Sequence, residues 1–277
     1  MSSLPENQFS VLTLSTASTK REEMIAVLLS KGLVSFEELI ESPDQFAVRL
    51  WLNAHVKPAD VERWFAHFEA PVKMTARSET VTENPSAITH ASNFTIEMTT
   101  ASTTDPGRIH LAPGVGFGWG DHPTTPLGLA FLKKHSRTHI LGQKGIDFGA
   151  GTGILSIAAG KCGATRIEAV EIDPAARQTI ETNKTLNPLK TEIETLEQLT
   201  QRSGHAQFVM ANLYAYTLSQ FADALYSRLR TDGYLWMSGF RAHQAEGVIN
   251  SMQALGAELS DRDTFEAWIG LTFRKPK

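Results

Sequence analysis

Apolar positions in this chain change period several times within the first eighty residues. Gln8–Ser15 (QFSVLTLS) is short and β-prone. Lys20–Lys31 (KREEMIAVLLSK) carries its charges first and an apolar stripe after. With Ser18 and Thr19 as candidate caps and Gly32 as a stop, it reads as a helix. Ser35–Ile40 reads as a short strand, and the partial alternation of Gln45–Leu52 (QFAVRLWL) predicts another. Pro58–Phe68 opens with proline in its first turn and reads as a helix, and Val72–Arg77 as a final strand. Strand, helix, strand, strand, helix, strand is the split β-α-β, ferredoxin-like arrangement.

That module is expected over residues 1–78. Residues 79–93 are polar, rich in Ser and Thr and interrupted by Pro85, which predicts a linker. Residues 94–277 alternate strands and helices in the α/β manner. A flexible link between the two would act as a hinge between rigid modules.

Composition narrows the class. The chain has 277 residues, 42% of them hydrophobic and 20% charged, which is ordinary for a globular protein and sets aside low-complexity and coiled-coil arrays. No apolar run reaches the ~18–20 residues of a membrane helix. The start, MSSLPEN, lacks the basic and apolar regions of a secretory signal. One cysteine, Cys162, excludes a disulfide framework within the chain and a multi-thiolate metal site. A cytoplasmic protein without a membrane is the expectation. The net charge of -4 falls wholly on residues 1–95, with 8 basic and 12 acidic side chains; the remainder holds 18 of each. A nucleic-acid surface would be basic, so direct nucleic-acid binding is not expected.

The chemistry is concentrated around one turn. Gly145-Ile146-Asp147-Phe148 reads as a strand, Gly149-Ala150-Gly151-Thr152-Gly153 as a turn, and Ile154–Lys161 as a helix. Glycines there let a ligand approach the backbone, and the helix N-terminus offers free N–H groups. No Gly-Lys-Ser/Thr follows, which argues against a nucleoside triphosphate. The third glycine of the dinucleotide pattern is also missing, since Ile154 stands at that position. G-x-G-x-G with Asp147 two residues ahead suits a cofactor without a pyrophosphate, such as S-adenosylmethionine. Arg166–Glu171 predicts a second strand whose last residue, Glu171, lies 22 positions after Gly149, where a carboxylate can hold both ribose hydroxyls. Asp173 and Pro174 then read as N-cap and first turn of a helix.

Further motifs flank this turn: APGVGFGWGDHPTT at 112–125, Met210-Ala211-Asn212-Leu213, and SGFRAHQAEGV at 238–248. Together these closely resemble the bacterial methyltransferases of large-subunit ribosomal protein eleven, whose pattern P-G-x-x-F-G-x-G-x-H-P-T-T is matched by Pro113, Gly114, Phe117, Gly118, Gly120, His122, Pro123, Thr124 and Thr125. The resemblance spans roughly residues 110–274. It implies a class I, Rossmann-like methyltransferase domain with a seven-stranded, mostly parallel sheet, preceded by a small α+β substrate-recognition domain. It implies S-adenosylmethionine as cofactor, contacted by Thr125 on the methionine part, Gly149 beneath it, Glu171 at the ribose where the family usually has Asp, and Asn212 facing the sulfonium and the incoming amine. Asp147, Gly151, Gly153 and Phe117 complete the expected cofactor set. It also implies ribosomal protein eleven as partner, free or on the ribosome, modified at lysines and at its α-amino group. Trp119, Asp121, Tyr214 and the pair Phe240-Arg241 depart from the pattern and are expected to line the mouth.

Methyl transfer asks mainly for proximity and orientation. The Asn212 amide oxygen can accept from an amine N–H and aim its lone pair. Ala-Asn-Leu-Tyr, unlike Asn-Pro-Pro-Tyr, favours an aliphatic amine. Such an amine, with a reference pKa of about 10.4, must first lose a proton. His122 is the nearest candidate base by motif, although holding the Pro-Thr-Thr turn is the preferred reading. The rival readings are the same chemistry on another protein lysine or a small amine, a non-catalytic S-adenosylmethionine-binding protein, and a nicotinamide oxidoreductase. His135 and His139 stand four apart without the glutamate of a zinc helix, so no metal is expected. Trp51, Trp64 and Trp236 read as core, and Cys162 as a buried small hydrophobe.

Overall fold

A computed structural model describes residues 8–30, 36–42, 44–52, 57–80, 88–114, 116–199 and 205–277. The chain divides into two compact units, Met1–Glu83 and Asn84–Lys277.

The first unit contains β1 (Gln8–Ala17), α1 (Arg21–Ser30), β2 (Phe36–Ser42), β3 (Gln45–Leu52), α2 (Pro58–Trp64) and β4 (Lys73–Thr80). Its sheet runs β2-β3-β1-β4, antiparallel throughout. Leu12, Leu14, Met24, Leu28, Val48, Leu50 and Val61 are buried. Two edges differ from the sequence expectation. Ser18 and Thr19 form a 3-10 turn that leads into α1. The helix from Pro58 ends at Trp64 because the chain turns at 65–67. Gly32 and Ser35, and the side chain of Trp51, lie outside what is described.

Parts of the expected 79–93 linker are strand and turn, and residues 81–87 lie outside the described residues. β4 continues to Thr80, and β5 (Ile88–Ala91) pairs with β6 (Phe94–Met98) across a two-residue turn. Ser92 and Asn93 both have positive φ, 49° and 68°, as a tight hairpin requires. A polar Ser/Asn stretch was therefore a turn rather than a tether. β7 (Arg108–Leu111) completes a three-stranded sheet.

The rest of the second unit is α3 (Thr124–His135), β8 (Lys144–Phe148), α4 (Ile154–Lys161), β9 (Arg166–Val170), α5 (Pro174–Leu186), β10 (Glu192–Leu196), β11 (Ala206–Asn212), α6 (Ala215–Arg228), β12 (Leu229–Arg241), α7 (Ala245–Ala254), β13 (Glu258–Phe265) and β14 (Trp268–Arg274). The seven-stranded sheet runs β10-β9-β8-β11-β12-β14-β13, with only β14 antiparallel to its neighbours. Alternation along the central strands feeds two cores. Phe208, Met210 and Trp236 pack with α3, α4 and α5; Ile146, Phe148, Val209 and Ala211 pack with α6 and α7. Trp236 is fully buried, as expected. Cys162, the C-cap of α4, is only half-buried. His135 and His139 pack their rings against Tyr234, with centroids 4.9 and 4.3 Å away. No helix among the described residues is long and apolar enough to cross a membrane.

The packing of β8 on β11 leaves no spare volume. A Cβ added at Gly145 would sit 2.2 Å from the Phe208 ring. Gly145→Ala should lower unfolding stability by about 1–3 kcal/mol in urea titration, with Phe208→Leu restoring part of the loss. An unchanged midpoint would contradict this packing.

Candidate active site

Strand register brings three distant residues together. Phe148 pairs with Val170 on one side and with Ala211 on the other. The next residues, Gly149, Glu171 and Asn212, therefore emerge side by side at the carboxyl edge. This is also where strand order reverses, between β8 and β11, the place where open α/β sheets bind ligands.

The glycine turn is held closely. Gly149 has φ of +75°, and a Cβ there would meet Leu213 at 2.7 Å. At Gly151 (φ +56°) a Cβ would lie 2.2 Å from the Phe117 carbonyl oxygen. Here the absent side chain admits a neighbouring backbone as much as a ligand. Gly153 is the N-cap of α4. Glu171 Oε2 accepts from the Gly151 N–H at 2.9 Å and Oε1 from the Asp173 N–H at 3.0 Å. Burial raises its pKa, while those N–H groups oppose the rise. Each oxygen keeps a second lone pair for a hydroxyl. Asp173 caps α5 by accepting from the Ala175 N–H at 2.8 Å.

Asp147 lies two residues before Gly149 and is not brought to the edge with Glu171 and Asn212. Alternation along β8 turns it under the loop, toward α4, where Oδ2 accepts from Ser156 Oγ at 2.6 Å. It is fully buried and its pKa is pushed up to about 6 by desolvation. It ties β8 to the first turn of α4.

The 122–125 turn supplies the opposite wall. Asn212 Nδ2 donates to Thr124 Oγ1 at 2.9 Å, and Thr124 Oγ1 lies 2.8 Å from His122 Nδ1. The Thr124 N–H also donates to His122 Nδ1 at 3.3 Å. Nδ1 is thus the acceptor. The His122 ring sits between Phe117 and Trp268, with centroids 4.9 and 4.5 Å away. Burial lowers its pKa to about 4, against the opposing pull of Asp121. Asn212 Oδ1 and Thr125 Oγ1 are buried without a hydrogen-bond partner.

The departures from the family pattern separate. Arg241 lies 5.0 Å over the Trp268 ring, Asp121 is exposed, and Tyr214 is the N-cap of α6. Trp119 donates from Nε1 to the Gly116 carbonyl at 2.8 Å. Phe240 is fully buried among the residues under α6 and α7, so it lines no mouth. A register shift between Met237 and Phe240 accompanies this placement. Thr124, which links Asn212 to His122, stands inside the quoted H-P-T-T motif but is not singled out by the sequence reading.

These groups fit S-adenosylmethionine. A carboxylate ends β9 where ribose hydroxyls can meet it. Unpartnered Thr and Asn oxygens suit amine and N–H donors. The glycine turn carries no phosphate-cradling lysine.

A family model described as ribosomal protein L11 methyltransferase (PrmA) matches residues 67–276. The chain is 36% identical over 172 residues to the ribosomal protein L11 methyltransferase of Methylococcus capsulatus, covering 62% of this chain and 58% of that one. With the Oceanobacillus iheyensis protein of the same name it shares 29% over 217 residues, 78% of this chain and 65% of the relative. The crystal structure of a ribosomal protein L11 methylase from Lactobacillus delbrueckii subsp. bulgaricus matches at TM-score 0.60 and 25% identity, covering 69% of this chain and 99% of that chain. The chain spans between 45% and 65% of the length of the curated relatives it matches. Fold, site and sequence agree that this chain belongs to the ribosomal protein L11 methyltransferase family.

Proposed function

We propose that the chain is an S-adenosylmethionine-dependent protein methyltransferase acting on lysine side chains and the α-amino group of ribosomal protein L11. The observation that carries this reading is Asn212. Its Oδ1 is buried and unpartnered beside the glycine turn, while its Nδ2 is fixed on Thr124. A buried acceptor left open has a desolvation cost that an incoming N–H relieves. The first unit, with its β-α-β-β-α-β order, is the ferredoxin-like substrate-recognition domain in this reading. The partner is L11, free or on the ribosome, in the cytoplasm, without direct contact to nucleic acid.

When bound, S-adenosylmethionine would supply an electrophilic methyl for the amine nitrogen, with the carbon–sulfur bonding pair left on sulfur. The chain's residues orient the partners. Glu171 accepts from the ribose hydroxyls, and Thr125 Oγ1 faces the methionine part. Asn212 Oδ1 accepts one amine N–H and aims the nitrogen lone pair. His122 holds the turn; with a pKa of about 4 it is neutral near pH 7 and a weak base. The amine proton leaves to water before attack.

Incubation of purified, unmethylated L11 with labelled S-adenosylmethionine should add multiples of a methyl mass, read by mass spectrometry. Asn212→Ala should reduce turnover by about 100-fold or more while S-adenosylmethionine still binds. Binding without transfer to L11 would move the search to another amine-bearing substrate, and full activity in the variant would remove Asn212 from its role.

The pH profile tests the assignment of His122. Because its pKa lies well below 6.5, no protonation step should break the rate between pH 6 and 9. The rate should climb with pH as the amine deprotonates, in wild type and in His122→Gln alike. An inflection near pH 6.5 that the variant abolishes would make His122 the base.

A further inference from the structure

Two asparagines stand four positions apart at the end of α5, Asn183 in its last turn and Asn187 as its C-cap, and both are fully buried. Their partners differ. Asn187 grips a single residue of β7: Oδ1 accepts from the His110 N–H at 3.0 Å, and Nδ2 donates to the His110 carbonyl at 2.6 Å. Its remaining donor goes to the Asn183 carbonyl, 2.8 Å away, within the same helix. Asn183 instead joins two separate segments. Oδ1 accepts from the Ala112 N–H at 2.8 Å, and Nδ2 donates to the Thr152 carbonyl at 2.9 Å.

Thr152 completes the junction from the other side. Its N–H donates to the Phe117 carbonyl at 2.9 Å, and its hydroxyl donates to the Gly118 carbonyl at 2.6 Å. The segment that carries Phe117 and leads into the 122–125 turn is thereby fixed to the glycine turn at residues 112, 117 and 118. The contact is close: a Cβ at Gly116 would lie 3.1 Å from the Gly151 carbonyl carbon.

We propose that Asn183 and Thr152 are positioning residues for S-adenosylmethionine, setting the spacing between the glycine turn and the wall that bears Phe117 and Thr125. Neither side chain touches the cofactor in this account. The primary amide is suited to the task because it donates and accepts from one rigid plane. Removing it leaves the Ala112 N–H and the Thr152 carbonyl without partners in the interior and frees the two segments to separate. The cradle then widens, and the ligand that needs both walls loses affinity. This inference rests on S-adenosylmethionine as the cofactor.

Asn187 separates positioning from plain stability. It is equally buried, caps the same helix and makes a comparable set of hydrogen bonds, but has no partner in the glycine turn. Asn183→Ala and Asn187→Ala should lower the unfolding temperature of the ligand-free full chain to a similar extent. Calorimetric titration with S-adenosylmethionine should then show Kd weakened about tenfold or more in Asn183→Ala, equivalent to ~1.4 kcal/mol, and changed less than about threefold in Asn187→Ala. KM for the cofactor should rise more than kcat falls. Thr152→Val tests the other half of the junction should Asn183→Ala fail to fold. It keeps the shape, loses the bond to Gly118, and should weaken Kd by about fivefold or more, with Thr152→Ser restoring it. Equal weakening in the Asn183 and Asn187 variants, or wild-type affinity in Asn183→Ala or Thr152→Val, would overturn the proposal. Failure of the wild-type chain itself to bind would overturn the cofactor reading and this inference with it.

Discussion

Pairing register in the centre of the large sheet is the constraint on which this site depends. Phe148 is locked between Val170 and Ala211, so the strands on both sides must end together. A slip of one residue would send every side chain of a strand to the opposite face. It would exchange Asp147 with Phe148 and empty both cores. The same hydrophobic alternation that specifies the sheet therefore specifies that Gly149, Glu171 and Asn212 meet. The site inherits its geometry from packing.

Around that edge several polar groups serve structure and ligand at once. Glu171 already accepts from two backbone N–H groups and offers only its second lone pairs to a ligand. The glycines admit neighbouring chain as closely as they would admit a cofactor: Phe117 at Gly151, and Leu213 at Gly149. Thr124 spends its hydroxyl on an internal relay from Asn212 to His122, which leaves Asn212 Oδ1 as the open acceptor. The cost of burying these groups is offset by their mutual hydrogen bonds, and at this edge Asn212 Oδ1 and Thr125 Oγ1 are left open.

Much of this was legible in the sequence, because its signals were local. Helix Ile154–Lys161 and the Asp173-Pro174 start of α5 follow from capping and glycine placement. Strand Gln45–Leu52 follows from alternation. The position of Glu171, directly after β9, follows from the second-strand pattern of Arg166–Glu171. What was illegible depends on long-range contact. Ser92-Asn93 resembles linker composition, and only its pairing partner makes it a hairpin. The sequence motif places Asp147 beside the glycine turn, but only strand alternation shows that its carboxylate meets Ser156. Phe240 looked like a mouth residue, yet it is buried in the core under α6 and α7. Asn183 acts across 71 residues of sequence on Ala112, a link no spacing rule anticipates.

The central claim is that this carboxyl edge is shaped for a sulfonium nucleoside rather than a dinucleotide. Calorimetric titration of the ligand-free chain with S-adenosylmethionine, and separately with NAD, tests it directly. The account predicts saturable binding of one S-adenosylmethionine per chain and no heat from NAD. Saturable NAD binding, or no binding of S-adenosylmethionine to a folded chain, would contradict it.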